Sequence, residues 1–236
     1  MIHVLNIFAV AIIGMSLFAN AANAADPVLV TVAGKKVIIP APAGMRSVDV
    51  AEYQRLHPTF LVRDRTRVLA VFIPVAAKVA DLPKAYAYVQ CDDPPMNIPP
   101  GGIAKLKEAF GKNAAVSASS SSLPAIKERL ARGKSAAAWD APGAQVRAKG
   151  MLLEKLALET PDLFAYTAHG VYEIVLGSER EDMVRPIVVM IGAASGSLLS
   201  LYYYGEANTS IKAPEFIGAG VGWGRDFVAA NGLPLK

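Results

Sequence analysis

The sequence predicts an α+β fold, a mainly antiparallel twisted sheet flanked by helices in a single domain. Three observations lead there. β-branched runs recur in pairs around Gly-containing turns, the pattern of hairpins. Three or four segments with apolar residues at helical spacing are interspersed among those runs. No long repeat organises the chain.

The N-terminal segment stands apart. It carries no Asp, Glu, Lys or Arg up to Ala25, and Val4 to Phe18 is a nearly unbroken apolar run. Ala22-Asn23-Ala24 then supplies the small-x-small pattern of a signal peptidase site. The run falls short of the ~20 apolar residues of a spanning helix. Residues 1–24 are therefore expected to be a cleavable signal peptide, and 25–236 one domain. The n-region holds only His3 where Lys or Arg is usual, which keeps an uncleaved, anchored form as an alternative. No Cys follows the apolar run, so the lipoprotein route is closed.

The first hairpin is Val28 to Val32, a turn at Ala33 to Lys36, then Val37 to Ile39, closed by Pro40, Pro42 and Gly44. Val48 to Leu56 predicts a short helix that Ser47 or Asp49 can cap. Arg67 to Val75 and Ala85 to Gln90 predict strands. A Pro-rich joint from Asp92 to Gly102 leads into a helix on which Ile103, Leu106 and Phe110 share a face, with Gly111 as its stop. A polar loop, 117–122, precedes a helix from Pro124 to Gly133. A small-residue linker, 135–143, contains Trp139. Met151 to Leu158 fits strand and helix periods equally. Pro161-Asp162 makes a turn into Leu163 to Thr167, and Val171 to Leu176 is a further strand.

Pro186 to Tyr204 is uncharged throughout. As a membrane helix it would present Gly192 and Gly196 as a small-xxx-small face. As a hairpin it pairs Ile187 to Ile191 with Leu198 to Tyr204 around a Gly/Ala/Ser turn. The β-branched first half and aromatic finish favour two buried strands. A Gly-rich turn, Gly218 to Gly224, then precedes a short helix, Arg225 to Ala230, stopped by Asn231-Gly232.

This ordering, with Ile38-Ile39-Pro40-Ala41-Pro42-Ala43-Gly44-Met45 closing the first hairpin and a Trp-containing terminal helix ending on Ala229-Ala230-Asn231, resembles an uncharacterised group of exported proteobacterial proteins. More distantly it resembles the α/β/α sandwich of PsbP, the photosystem II accessory protein. The resemblance spans most of 25–236. It implies a twisted antiparallel sheet with flanking helices and transfers no catalytic residue.

Composition removes several functions. The 24 basic and 20 acidic residues leave a net charge of +4. The basic cluster at Lys127, Arg129, Arg132, Lys134, Arg147 and Lys149 is interrupted by Glu128 and Asp140 and has no interleaved aromatics. Nucleic acid is not an expected partner; a weak attraction to anionic envelope surfaces is. Cys91 is the single cysteine, so no intrachain disulfide forms, and a small buried hydrophobe is its expected role. Gly133-Lys134-Ser135 ends like a P-loop but has Glu128 where that motif needs Gly. Gly192-Ala193-Ala194-Ser195-Gly196 has Ala where a nucleophile elbow needs Ser. His57 and His169 lack ligand spacing, and Asp92-Asp93 lacks a following oxygen ladder, so no metal or cofactor is expected. A hydrolytic trio of His169, Ser195 and Asp162 is conceivable from availability alone.

Tyr202, Tyr203 and Tyr204 are the most informative polar run. In a strand Tyr202 and Tyr204 share a face and Tyr203 takes the other. Two adjacent phenols need partners if buried, or can line a groove with Trp223 and His169 nearby. The expected function is thus an exported, non-enzymatic binding or accessory protein, periplasmic or secreted, with an unidentified envelope ligand or protein partner. The alternatives are a periplasmic hydrolase using His169 and an envelope structural protein held by an uncleaved signal.

Overall fold

Tight turns set the topology. The structure, a computed structural model, describes residues 25–57, 65–81, 84–119, 145–206 and 210–235. At Ala33-Gly34 both residues have positive φ, 48° and 77°, and at Ser195-Gly196 they have 54° and 81°. Consecutive positive φ values define the two-residue hairpin turn whose twist matches that of its strands. The first joins β1 (Val28–Val32) to β2 (Lys35–Ile39). The second joins β8 (Glu179–Ala194) to β9 (Ser197–Tyr204), the hairpin expected from the uncharged run. The two turns touch: Lys35 Nζ donates to the Ser195 carbonyl at 2.9 Å, and Ser195 Oγ donates to the Lys36 carbonyl at 3.1 Å.

Between them lie β3 (Met45–Val48), α1 (Val50–Leu56), β4 (Thr66–Pro74), β5 (Tyr86–Asp92), α2 (Gly102–Ser119), β6 (Gln145–Glu159) and β7 (Leu163–Leu176). The chain ends in α3 (Pro214–Ala230). Asp49 caps α1, its carboxylate accepting from the Glu52 amide at 2.7 Å. β3 to β9 form one antiparallel sheet of seven strands in the order β3-β4-β5-β9-β8-β7-β6, with β1-β2 as a separate ribbon. α1 and α2 cover one face through Tyr53 and Ile103. α3 and the β1-β2 ribbon cover the other through Phe216, Trp223, Phe227, Val37 and Ile39. The α+β class, with helices on an antiparallel sheet in one domain, is therefore as the sequence predicts.

Four boundaries differ, each for a tertiary reason. α2 does not stop at Gly111 but continues to Ser119. A Cβ at Gly111 would stand 3.3 Å from the Tyr166 hydroxyl, so that glycine is a contact with the sheet. β7 is one strand through Ala168-His169-Gly170, which places His169 mid-strand, away from any strand end. β8 begins at Glu179, so a charged stretch extends the hairpin with β7 beyond the core. Gly218 to Gly224 are not a turn: they lie inside α3. Helix-interior glycine is unfavourable by ~1 kcal/mol against Ala, but packing overrides propensity. A Cβ on Gly220 would meet Val188 at 2.7 Å, and one on Gly224 would meet Met190 Sδ at 2.9 Å. The ambiguous Met151 to Leu158 is strand, within β6. The signal peptide, the helix expected from Pro124 and the linker around Trp139 lie outside the described residues.

Candidate functional site

Strand pairing assembles the tyrosines. Tyr86 of β5 sits opposite Tyr204 of β9, and Tyr88 opposite Tyr202. All four face α1 and α2, and their rings stack, with centroids 4.3 Å apart for Tyr86–Tyr204, 4.7 Å for Tyr88–Tyr202 and 5.9 Å for Tyr88–Tyr204. Tyr172 joins from β7. Its ring lies across Gly170, where a Cβ would come within 2.9 Å of it. The Tyr204 hydroxyl shares hydrogen bonds with those of Tyr172 and Tyr88, and Gln90 Nε2 donates to the Tyr202 hydroxyl at 3.4 Å.

Arg185 of β8 enters this layer with 1% of its surface exposed. Its guanidinium lies 5.2 Å from the Tyr86 ring centroid and 6.0 Å from that of Tyr204. Nη2 donates to the Gly205 carbonyl at 3.0 Å and to the Lys84 carbonyl, tying the end of β9 to the chain entering β5. Burial pushes the phenols of Tyr86, Tyr172 and Tyr204 well above the ordinary range. It raises Tyr53 as well, with Arg185 pulling in the opposite direction. These hydroxyls are therefore neutral donors and acceptors at any physiological pH. Tyr202 and Tyr204 are 4% and 5% exposed, so the layer is core.

The sheet separates the other two expected ligand residues from this pair. Trp223 is in mid-α3 on the opposite face. Its Nε1 donates to the Pro40 carbonyl at 2.7 Å, and its ring packs edge-on to Phe72 at 5.9 Å. That bond ties α3 to the segment leaving β2. His169 is opposite Pro186 in the β7–β8 register, on the face away from Tyr202 and Tyr204. Its Nε2 lies 2.9 Å from Glu154 Oε1, and the buried Nδ1 has no hydrogen-bond partner among the described residues. Tyr202 and Tyr204 are thus brought together; Trp223 and His169 do not join them.

The conceivable trio is not assembled either. Asp162 and Ser195 sit at one end of the sheet, where the Ala193 amide donates to the Asp162 carbonyl at 2.8 Å. His169 pairs with Pro186, and Ser195 follows β8 on from there by about 30 Å at the usual strand rise. Asp162 is about 23 Å from His169 along β7 by the same measure. Among the described residues no three His, Cys, Asp or Glu side chains gather as a metal site.

A cleft stands at that same end of the sheet. It is half open to solvent and holds about 240 Å³, lined by Ile103, Lys107, Glu159, Thr160, Pro161 and Phe164. Ile103 and Phe164, 3% and 1% exposed, form its floor. Lys107 of α2 and Glu159 at the end of β6 form an ion pair at its rim, both partly exposed. Thr160 fixes the β6–β7 turn: its Oγ1 donates to the Leu163 carbonyl at 3.0 Å and accepts from the Leu163 amide at 2.9 Å. No local pattern in the sequence marks this site. Ile103 and Lys107 stand one helical turn apart, which was readable, but Lys107 and Glu159 are 52 residues apart and meet only where α2 packs against β6.

The fold and these sites define a class: a single α+β domain with a stacked tyrosine layer on one side of its sheet and a small, mostly apolar cleft. Comparison with solved structures returns the cyanobacterial PsbP (CyanoP) of Synechocystis, in solution, at 15% sequence identity and a TM-score of 0.28, covering 82% of this chain and 84% of that one. No family model matches the sequence, and no curated protein does. Among the described residues no helix is long and apolar enough to cross a membrane.

Proposed function

We propose that this chain is an exported binding or accessory protein, periplasmic or secreted, without chemistry of its own, and that its ligand enters the cleft between α2 and the β6–β7 turn. The observation that carries this is the make-up of the cleft: an apolar floor of Ile103 and Phe164 beneath two opposite charges, Lys107 and Glu159. Ligand sites combine a mostly apolar lining with a few polar handles in this way. Tyr202, Tyr204 and Trp223, by contrast, spend their rings on core packing. Export is supported by the apolar run before Ala22-Asn23-Ala24, and membership of the exported proteobacterial group that the sequence resembles by the ordering of Ile38 to Met45 and the Trp-containing terminal helix.

His169 with Glu154 is the base-and-orienter half of an acid–base device. The separation of Ser195 and Asp162 from it speaks against the hydrolase alternative. The test is direct. Adding N-acetyl-L-leucinamide, hexanoate or indole to the isotope-labelled protein is expected to shift the amides of Ile103, Lys107 and Thr160, leaving those of Tyr202 and Tyr204 in place. Ester, peptide and phosphate substrates are expected to remain intact. Turnover that vanishes in His169→Ala with unchanged circular dichroism would overturn the proposal.

A further inference from the structure

The ion pair at the cleft rim carries more than the existence of a site. Lys107 and Glu159 are oppositely charged, stand side by side above the apolar floor, and keep 30% and 50% of their side-chain surface exposed. An exposed pair of this kind contributes little to stability, because water screens it and both side chains lose freedom in making it. Either partner can therefore turn to a new counter-ion at small cost. A ligand with one charge would satisfy one of them and leave the other facing like charge or solvent. A ligand that brings both charges, an anion for Lys107 and a cation for Glu159, replaces one ion pair by two.

Size narrows the class further. The space of about 240 Å³ in this half-open cleft lies below the ~300–1,000 Å³ of typical small-molecule sites, and so suits a single small group over an extended chain. The floor, Ile103 and Phe164, offers contact to an aliphatic or aromatic side chain. The wall at Thr160 is held by its bonds to Leu163 and needs no rearrangement to receive it.

We infer that the cleft takes a free α-amino acid as its zwitterion, with the carboxylate on Lys107, the ammonium on Glu159, and an apolar side chain against Ile103 and Phe164. This rests on the cleft being the binding site. Peptides present only one of the two charges at a given terminus, and an internal residue presents neither.

The test uses four probes of one side chain on the purified protein, followed by amide shifts and calorimetry: L-leucine, N-acetyl-L-leucine, L-leucinamide and N-acetyl-L-leucinamide. L-Leucine is expected to bind best, with each loss of a charge weakening binding roughly threefold, as exposed ion pairs do. In Lys107→Met the difference between L-leucine and L-leucinamide should disappear. In Glu159→Gln the difference between L-leucine and N-acetyl-L-leucine should disappear. These two variants alter an exposed rim, and unchanged thermal unfolding will show that the fold is kept. Equal binding of all four probes at Ile103 and Thr160 overturns the zwitterion while leaving the cleft as a binding site. Preference for N-acetyl-L-leucine overturns it in favour of a peptide C-terminus. Absence of any shift at the cleft with all four probes overturns both.

Discussion

The two faces of the seven-stranded sheet achieve burial by opposite chemistries. Toward α1 and α2 the rows Tyr86–Tyr204 and Tyr88–Tyr202, with Tyr172, Tyr53 and Arg185, place phenols and a guanidinium where aliphatic side chains would suffice. Toward α3 the strands present mainly apolar side chains, Val188, Met190, Leu199 and Leu201 among them, and the helix answers with the Trp223 indole, whose N–H is bonded to the Pro40 carbonyl. A polar face must satisfy directional bonds and hold its groups in one protonation state. An aliphatic face must match shape, which is why glycines appear on the helix that covers it. The difference teaches that one face is sensitive to proton and hydrogen-bond chemistry and the other to volume.

The largest expected effect breaks the polar face with alkali. Tyr53, Tyr86, Tyr172 and Tyr204 have phenols raised by burial above their ordinary value of 10.0. Below that value folded and unfolded chains both keep these protons, so the phenols give stability no pH dependence. Above it the unfolded chain releases protons that the folded chain retains, and stability falls as pH rises. Each such phenol contributes about 1.4 kcal/mol per pH unit to that fall. Urea unfolding followed between about pH 9 and 11.5 should show a steep decline. Tyr204→Phe should flatten its slope by one phenol's share. A slope that Tyr204→Phe leaves untouched would show that this hydroxyl is not held neutral by burial.

The next effect concerns the cation within that face. Arg185→Met keeps much of the side-chain length but leaves the Gly205 and Lys84 carbonyls without their guanidinium donor. Orphaning buried acceptors costs ~1–3 kcal/mol each, so a loss of about 3 kcal/mol is expected in the unfolding free energy read from urea curves at neutral pH. Lys at this position cannot bond both carbonyls while lying flat over Tyr86, so Arg185→Lys should restore little. Full restoration by lysine would mean that charge alone, without the planar fork, serves the tie between β5 and β9.

Much of the polar face could be read in the chain. Alternation placed Tyr202 and Tyr204 together, and the β-branched run with its Gly/Ser break gave the β8–β9 hairpin. The Ala33-Gly34 turn and the Asp49 cap were legible because each is decided within a few residues. Arg185 was not, since a charged residue at the border of an apolar run reads as a solvated end. Only the ring faces of Tyr86 and Tyr204, brought from separate strands, explain its burial. The cleft was hidden for the same reason, as Lys107 and Glu159 meet only where α2 packs against β6. Gly218, Gly220, Gly222 and Gly224 misled most. Local propensity made them a turn, and the compensating contact lies on β8, far away in sequence.

Those four glycines offer the finest division between the faces of a single helix. In α3 Gly220 and Gly224 are one turn apart and point at the sheet, where an added methyl would meet Val188 at 2.7 Å and Met190 at 2.9 Å. The Val188 contact includes its Cβ at 2.8 Å, an atom fixed to the strand backbone, so the helix itself would have to move outward. Gly220→Ala is therefore expected to destabilise by ~1–3 kcal/mol, the usual range for overpacking. The Met190 thioether can turn aside, and Gly224→Ala should cost less. Gly218 and Gly222 occupy the alternate positions, and a Cβ there meets nothing within 4 Å. In those two places alanine removes backbone freedom from the unfolded chain and improves helix propensity without a clash. Gly218→Ala and Gly222→Ala should each stabilise by ~0.5–1 kcal/mol. Opposite signs from the two pairs, measured by the same denaturation curves, are the expected outcome. Destabilisation by all four would show that the outer side of α3 is packed as closely as the inner, and that the aliphatic face has a cover beyond the helix.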